Sequence, residues 1–300
     1  MNRLGFGRRG RTDLVPAPFV VGVGRSGTTL LRLMLDAHPE LTIPAETQFV
    51  PAVIESARRH AGREAVVEEI ISARNWGDFR LDAAAFRDAT AGLDGTDAGA
   101  VLRVFYSLCA RTAGKPRWGE KTPAYVRHMR EIGQALEEAR FIHLIRDGRD
   151  VAISRRRRGM GAGKPMADTA RLWRDRIKGA RRQAKRLRGR YLELRYEDLV
   201  TDPEAQLRRV CELCRLEFSP AMLDYHRDAE TRIGEIARDL PGAGGRLARS
   251  GAERAAAHAL TARPPTAERS GSWRTAMSAG DQAEFESVAG ELLRDLGYLE

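Results

Sequence analysis

A chain of 300 residues with 42% apolar content is long enough for one large α/β domain or two small ones with ample core. Its apolar runs are only a handful of residues long, so no membrane span is expected. A formal charge of +10 admits nucleic acid, a membrane surface or a polyanionic small ligand as partner, although only five of the 51 basic residues are lysine and a compositional preference for arginine accounts for much of the excess. Three scattered cysteines cannot all pair, which points to a reducing compartment and a cytoplasmic location. Residues 1–17 are basic, carry Gly and Pro, and lack the apolar centre of a secretory signal. They are expected to form a flexible tail before a single domain over 18–300.

Phe19–Val23 is a short apolar run that enters Gly24-Arg25-Ser26-Gly27-Thr28-Thr29, after which Leu30, Leu31, Met34 and Leu35 make an apolar helical face. A strand, glycine-rich turn and helix in that order aim backbone N–H groups and the positive helix end at one point, where a phosphate or sulfate fits. Gly22, Gly24 and Gly27 satisfy the dinucleotide pattern G-x-G-x-x-G. Gly22 and Gly27 also match the outer glycines of the nucleotide-triphosphate loop, but Thr28 stands where that loop has its lysine. The turn can therefore cradle a 5′-phosphate without the cation that reaches a γ-phosphate, and Arg25 adds a cation inside it.

His38-Pro39 ends the helix. Leu41-Thr42-Ile43 is a strand candidate whose carboxyl end presents Glu46, the edge at which open α/β sheets bind ligands. A ribose-binding carboxylate of a dinucleotide site would stand nearby, so Glu46 alone does not choose between the two. Residues 48–113 read as a helical insertion on the acceptor side, interrupted at Asn75-Trp76-Gly77 and Gly92–Gly99. In Arg117–Pro123, Thr122 suits an N-cap and Pro123 the first helical position, with Val126, Met129, Ile132 and Leu136 continuing one helix. Lys121 stands just before it.

Phe141–Ile145 reads as a buried strand, with His143 a core residue and Arg146 at the carboxyl end. If Asp147 caps the next helix, Ser154 lies about two turns on, and a forked guanidinium and a hydroxyl can reach one phosphate. The plainer alternative is a salt-bridged surface. Residues 171–190 hold ten basic residues, but Trp173, Ile177, Ala180, Ala184 and Leu187 recur at helical spacing, so the charges are expected on a solvated face. Tyr191–Tyr196 is a strand; Asp202-Pro203 opens a helix whose stripe includes Cys211 and Cys214, read as core because no second cysteine pair completes a zinc set. Residues 234–270 look like a mobile loop or lid closing on Arg269-Ser270-Gly271-Ser272-Trp273-Arg274. A last helix is expected from Asp281, with Glu284 completing a capping box and Gly297 ending it. Four strands alternating with helices imply a parallel sheet covered on both faces.

With these pieces in order, the chain from about residue 18 onward resembles the sulfotransferases that use 3′-phosphoadenosine 5′-phosphosulfate. Arg25–Pro39 is similar in wording to the tyrosylprotein enzymes and Glu120-Lys121-Thr122-Pro123 to the heparan enzymes, rather than to the cytosolic phenol-type branch. The resemblance implies a P-loop-type α/β fold with a helical insertion and a C-terminal lid loop. It implies that Gly24, Arg25, Ser26, Gly27, Thr28 and Thr29 hold the 5′-phosphosulfate and Arg146 and Ser154 the 3′-phosphate, two separated pockets with an adenosine between them. Tyr196, Arg269, Gly271, Trp273 and Arg274 are implied to complete donor binding. Glu46 would be the base, with Lys121 and Arg25 as catalytic cations and no metal. The tyrosylprotein enzymes show two glutamates where this chain has Ala45-Glu46. The implied reaction is sulfuryl transfer to a hydroxyl or amine of a small-molecule or glycan acceptor, without nucleic acid and compatible with a homodimer. A P-loop nucleotide kinase or NTPase, or an arginine-rich nucleic-acid binder, are the alternatives.

Overall fold

The computed structural model describes residues 14–60, 62–94, 97–161, 163–234, 239–241, 247–256 and 259–300. Residues 1–13 of the expected tail lie outside that set. The chain runs β1 (Ala17–Gly22), α1 (Thr28–Asp36), β2 (Leu41–Thr42), then α2 (Val50–Arg58), α3 (Arg63–Ile71), α4 (Ala83–Thr90) and α5 (Ala98–Thr112). It returns through β3 (Arg117–Trp118), β4 (Glu120–Lys121), a 3-10 turn at Pro123–Arg127, α6 (Met129–Ala135) and β5 (Ala139–Ile145). Next come α7 (Gly148–Arg156), α8 (Met166–Ala184), β6 (Tyr191–Arg195), α9 (Tyr196–Thr201) and α10 (Pro203–Cys214). The C-terminal part holds α11 (Ala229–Gly234), β7 (Leu240–Pro241), β8 (Leu247–Arg249), α12 (Gly251–Ala256), α13 (Trp273–Ala276) and α14 (Ala279–Asp295).

The main sheet is parallel throughout, in the order β4-β1-β5-β6. β1 is buried along its whole length, as a central parallel strand must be. The pleat sends Phe19, Val21 and Phe141 to one face, against the helical insertion and α6, and Val20, Ile142 and Leu144 to the other, against α1 and α10. A third cluster joins Val23, Ile145, α7, α8 and α14 beyond the strand ends. The α/β fold with helices on both faces is as expected, and so is the helical insertion. His143 is fully buried against Tyr191, its ring nitrogen 2.7 Å from the phenol, and burial lowers its pKa to about 4. Cys211 and Cys214 are buried thiols on one stripe.

Several boundaries differ from the sequence reading. β1 starts at Ala17, one residue before the expected domain edge. β2 pairs with β3 in a separate two-stranded ladder, and the fourth strand of the main sheet is β4. Two polar residues carry no strand signal of their own; pairing of Glu120 and Lys121 with Phe19 and Val20 of β1 creates the strand. Thr122 caps nothing with its side chain: its hydroxyl donates to Glu120 at 2.6 Å, and the chain makes a 3-10 turn before α6 rather than one helix. α14 starts at Ala279, where the Ser278 hydroxyl caps the Asp281 N–H at 3.1 Å, while Glu284 accepts from the Met166 N–H at 3.2 Å. Within the expected loop 234–270, residues 235–238, 242–246 and 257–258 lie outside the described set. The described part includes α12, whose Arg254 donates to both carboxylate oxygens of Asp78 in the insertion, at 3.1 and 2.6 Å.

Gly27 stands at φ +93°, and a Cβ there would come within 2.4 Å of the Tyr196 ring. Both the left-handed backbone and the contact demand glycine. Gly27→Ala is expected to cost about 1–3 kcal/mol from the backbone alone, read as a lower urea midpoint, and to displace Tyr196 from the loop.

Candidate active site

Gly22 ends β1 and the chain turns at once, with the Ser26 N–H closing back on the Val23 carbonyl at 3.1 Å. Arg25 at φ +84° and Gly27 are both left-handed, which bends the loop so that α1 begins directly at Thr28. No side chain caps the start of α1, so its first N–H groups point at the site with their partial positive charge. The Ser26 Oγ is buried and has no hydrogen-bond partner within the protein.

Arg146 stands at the end of β5, beside this loop. Its guanidinium lies 4.5 Å from the centre of the Tyr196 ring, donates to the Arg25 carbonyl at 3.5 Å and to the Arg269 carbonyl, and sits 3.7 Å from the Asp150 carboxylate. Its Nε is buried without a protein partner. Ser154, two turns into α7 behind the Asp147 cap, accepts from Arg25 Nε at 3.2 Å. The loop and the arginine–serine pair therefore touch. They line one cavity of about 210 Å³ together with Thr28, Tyr196 and Arg269. The expected separation into two pockets gives way to one continuous wall, because Arg25 bridges the two motifs.

A wider cleft of about 710 Å³ lies on the other side of the same loop, lined by Gly24, Arg25, Thr28, Thr29, Glu46 and Lys121. Lys121 is buried on β4 and its Nζ is 2.6 Å from Glu46 Oε1 and 3.4 Å from the Thr29 hydroxyl. Glu46 remains about one-third exposed to the cleft. Its backbone carbonyl accepts from Asn75 Nδ2 at 2.6 Å. Further along the cleft stand Arg127, Arg155 and Arg176. These three have no side-chain hydrogen bond or ion pair among the described residues, whereas Arg254 in the same cleft pairs with Asp78. Burial, and then the neighbouring Arg127, lower the pKa of Arg176.

The C-terminal loop divides into two parts. Arg269 lines the smaller cavity. Gly271, Trp273 and Arg274 line neither, and Gly271 and Trp273 anchor the loop. The Gly271 N–H, the Ser272 hydroxyl and the Trp273 N–H all donate to the buried carboxylate of Asp150, at 2.8, 2.8 and 2.9 Å. The Trp273 ring lies 3.6 Å from the Arg149 guanidinium and 4.7 Å from that of Arg274. Asp150 sits between Arg146 and Ser154 on the same helical face, a spacing that could have marked it. Asp150→Ala is expected to cost about 3–5 kcal/mol, the usual loss when one partner of a buried charged network is removed, and to weaken nucleotide binding, measured by denaturant titration and calorimetry.

Among the described residues no group of three or more His, Cys, Asp or Glu could hold a metal ion, and no helix is long and apolar enough to cross a membrane. A parallel sheet whose first strand ends in a glycine-containing loop that opens a helix, with a carboxylate–lysine pair beside it, defines the class of α/β fold. The chain belongs to the sulfotransferase family, whose model matches residues 16–220. Protein-tyrosine sulfotransferase 1 of Danio rerio is 27% identical over 230 residues, covering 74% of this chain and 59% of that protein. Protein-tyrosine sulfotransferase 2 of Gallus gallus is 28% identical over 231 residues, covering 74% and 57%. Both lie in the tyrosylprotein branch that the wording of Arg25–Pro39 resembles, and this chain spans less than three-fifths of either. Among solved structures, the sulfotransferase domain from the curacin biosynthetic pathway aligns at TM-score 0.58 and 21% identity over 93% of this chain and 98% of its own. The sulfotransferase domain from the Synechococcus PCC 7002 olefin synthase aligns at 0.55 and 23%, over 92% and 94%. These two share the fold.

Proposed function

We propose that this protein transfers a sulfuryl group from 3′-phosphoadenosine 5′-phosphosulfate to a hydroxyl of an acceptor that carries an anionic group of its own. The observation that carries the donor reading is the contact of Arg25 with Ser154 and Arg146, which puts the strand-end loop and the second anion-binding pair on one cavity wall. The residues fit a bisphosphate: the buried Ser26 Oγ and Arg146 Nε lack protein partners, and the α1 N-terminus has no side-chain cap. When bound, the donor supplies the sulfuryl group and departs as the 3′,5′-bisphosphate.

The loop N–H groups, Thr28 and Thr29 hold the 5′-phosphate, and Arg146 and Ser154 hold the 3′-phosphate. The Tyr196 ring supports the Arg146 fork from below. Glu46 takes the proton of the acceptor hydroxyl. Lys121 and Arg25 neutralise the charge that develops on the transferring and leaving oxygens, fixed in place before reaction. Lys121 is buried on a strand, and Arg25 is held by Ser154, so little reorganisation accompanies the transfer.

Arg127, Arg155 and Arg176 support an anionic acceptor. Arg127 and Arg176 repel each other, Arg155 is partly buried in the same cleft without an ion pair, and a carboxylate, sulfate or phosphate on the acceptor would compensate that positive charge. The test is incubation with the donor and a set of hydroxyl compounds matched in shape but differing in charge, followed by mass spectrometry. Anionic members should gain one sulfuryl group fastest, and Arg155→Ala should erase the preference. Equal rates for anionic and cationic members would remove the acceptor reading; no mass gain with any member would remove the donor reading too.

A further inference from the structure

Glu120 has no part in the transfer described above, yet it is a fully buried carboxylate next in sequence to Lys121. Three hydroxyls converge on it: Thr122 at 2.6 Å, Tyr106 from α5 at 2.8 Å and Thr47 at 3.2 Å. Thr47 follows Glu46 in the chain and is fully buried. Its hydroxyl is 2.7 Å from that of Tyr125, which accepts from the Val50 N–H at 3.1 Å. An ionised Glu120 can only accept, so Thr47 donates its one hydrogen to it and must accept from Tyr125. Every hydrogen in this chain runs toward the carboxylate.

We propose that Glu120 is a positioning residue for sulfuryl transfer: its carboxylate ties the segment that carries Glu46 to the strand that carries Lys121, and so sets the distance between base and cation. The proposal rests on the reading of Glu46 and Lys121 given above. β2 and β4 belong to different sheets, so the Thr47–Glu120 hydrogen bond joins the Glu46 segment to the Lys121 strand directly, beside the contacts that Asn75 and Lys121 make with Glu46. The tie is also pH-sensitive. The groups that face Glu120 are Tyr106 and Cys109 of α5, Tyr125 of the 3-10 turn, Glu46 across the cleft edge and the adjacent Lys121. Burial raises the Glu120 pKa to about 7, opposed by the three hydroxyl donors and reinforced by Glu46. Above that pH the carboxylate accepts all three hydrogens. Below it, Glu120 carries a proton of its own, and one donating hydroxyl must turn round to accept it. The tie is therefore complete on the alkaline side and loosened on the acid side.

The test uses the whole chain labelled with 15N at lysine. Five lysines give five ammonium signals, and Lys121→Arg assigns the one of interest. The Lys121 signal should shift with an inflection near pH 7, and infrared difference spectra should show a buried carboxyl band lost over the same range. Glu120→Gln, checked for folding by circular dichroism, should abolish both the band and the inflection. Thr47→Val, which keeps Glu120 and cuts only the tie, should keep the band and abolish the inflection. A pH response of the Lys121 signal unchanged in either folded variant would overturn the proposal. Binding of 3′-phosphoadenosine 5′-phosphate, measured on the same samples, should be unchanged by both substitutions. If the wild-type chain failed to bind it, the donor reading would fall while the pH response of the Lys121 signal would still judge the tie.

Discussion

Glu46→Gln is expected to lower turnover by about two to four orders of magnitude, the usual contribution of a positioned general base, while leaving donor affinity near that of the parent. The amide keeps the size of the side chain and can still meet Lys121 through its oxygen, so the cleft should keep its shape. What is lost is the group that removes the proton from the acceptor hydroxyl. Glu46 is suited to that task by its surroundings: one oxygen is fixed by Lys121 at 2.6 Å, and the side chain keeps contact with the cleft. Single-turnover transfer in the variant separates the chemical step from product release. A variant as fast as the parent would remove Glu46 from the reaction and send the search for the base elsewhere in the cleft.

The second large effect is expected at Arg146. Arg146→Ala should weaken 3′-phosphoadenosine 5′-phosphate by about 10- to 100-fold, since a hydrogen bond to a charged group contributes about 1.5–3 kcal/mol, and should leave AMP nearly unaffected. The comparison matters because Arg146 also touches Tyr196, the Arg25 and Arg269 carbonyls and Asp150. General damage to the wall would weaken both nucleotides alike. Only a lost 3′-phosphate contact separates them. Ser154→Ala, which removes a smaller neutral partner together with the hydrogen bond that holds Arg25, should discriminate in the same direction with a smaller effect. Equal losses for AMP and the bisphosphate would withdraw the 3′-phosphate role from this pair.

The parts of this molecule that speak through local chemistry could be read directly. Phe19–Val23 is apolar on both faces because the strand is central, and Gly27 is glycine because the loop turns left-handed under Tyr196. Arg146 and Ser154 were visible as a strand exit followed by two helical turns. Elements made by pairing were not. Glu120 and Lys121 form a strand only because β1 lies beside them, and nothing in two polar residues announces it. The Thr122 hydroxyl serves a buried carboxylate instead of a helix end, so a sound capping signal gave the wrong helix. Asn75 looked like loop punctuation, but its side chain holds the Glu46 carbonyl from 29 residues away. Trp273 closes a motif that reads as a ligand contact, and it anchors that motif on Arg149 and Asp150, with Arg274 against its ring. The three unpaired arginines of the cleft come from the 3-10 turn, α7 and α8, and only the fold brings them together.

Calorimetric titration of the wild-type chain with 3′-phosphoadenosine 5′-phosphate, set against ATP, ADP and NAD, tests the donor assignment most directly. A cavity shared by the β1 loop and the Arg146–Ser154 pair should take up the bisphosphate at one site per chain and hold it well above the other three nucleotides, with binding that persists in EDTA. Tighter binding of ATP or NAD, or no heat from the bisphosphate at all, would contradict the account.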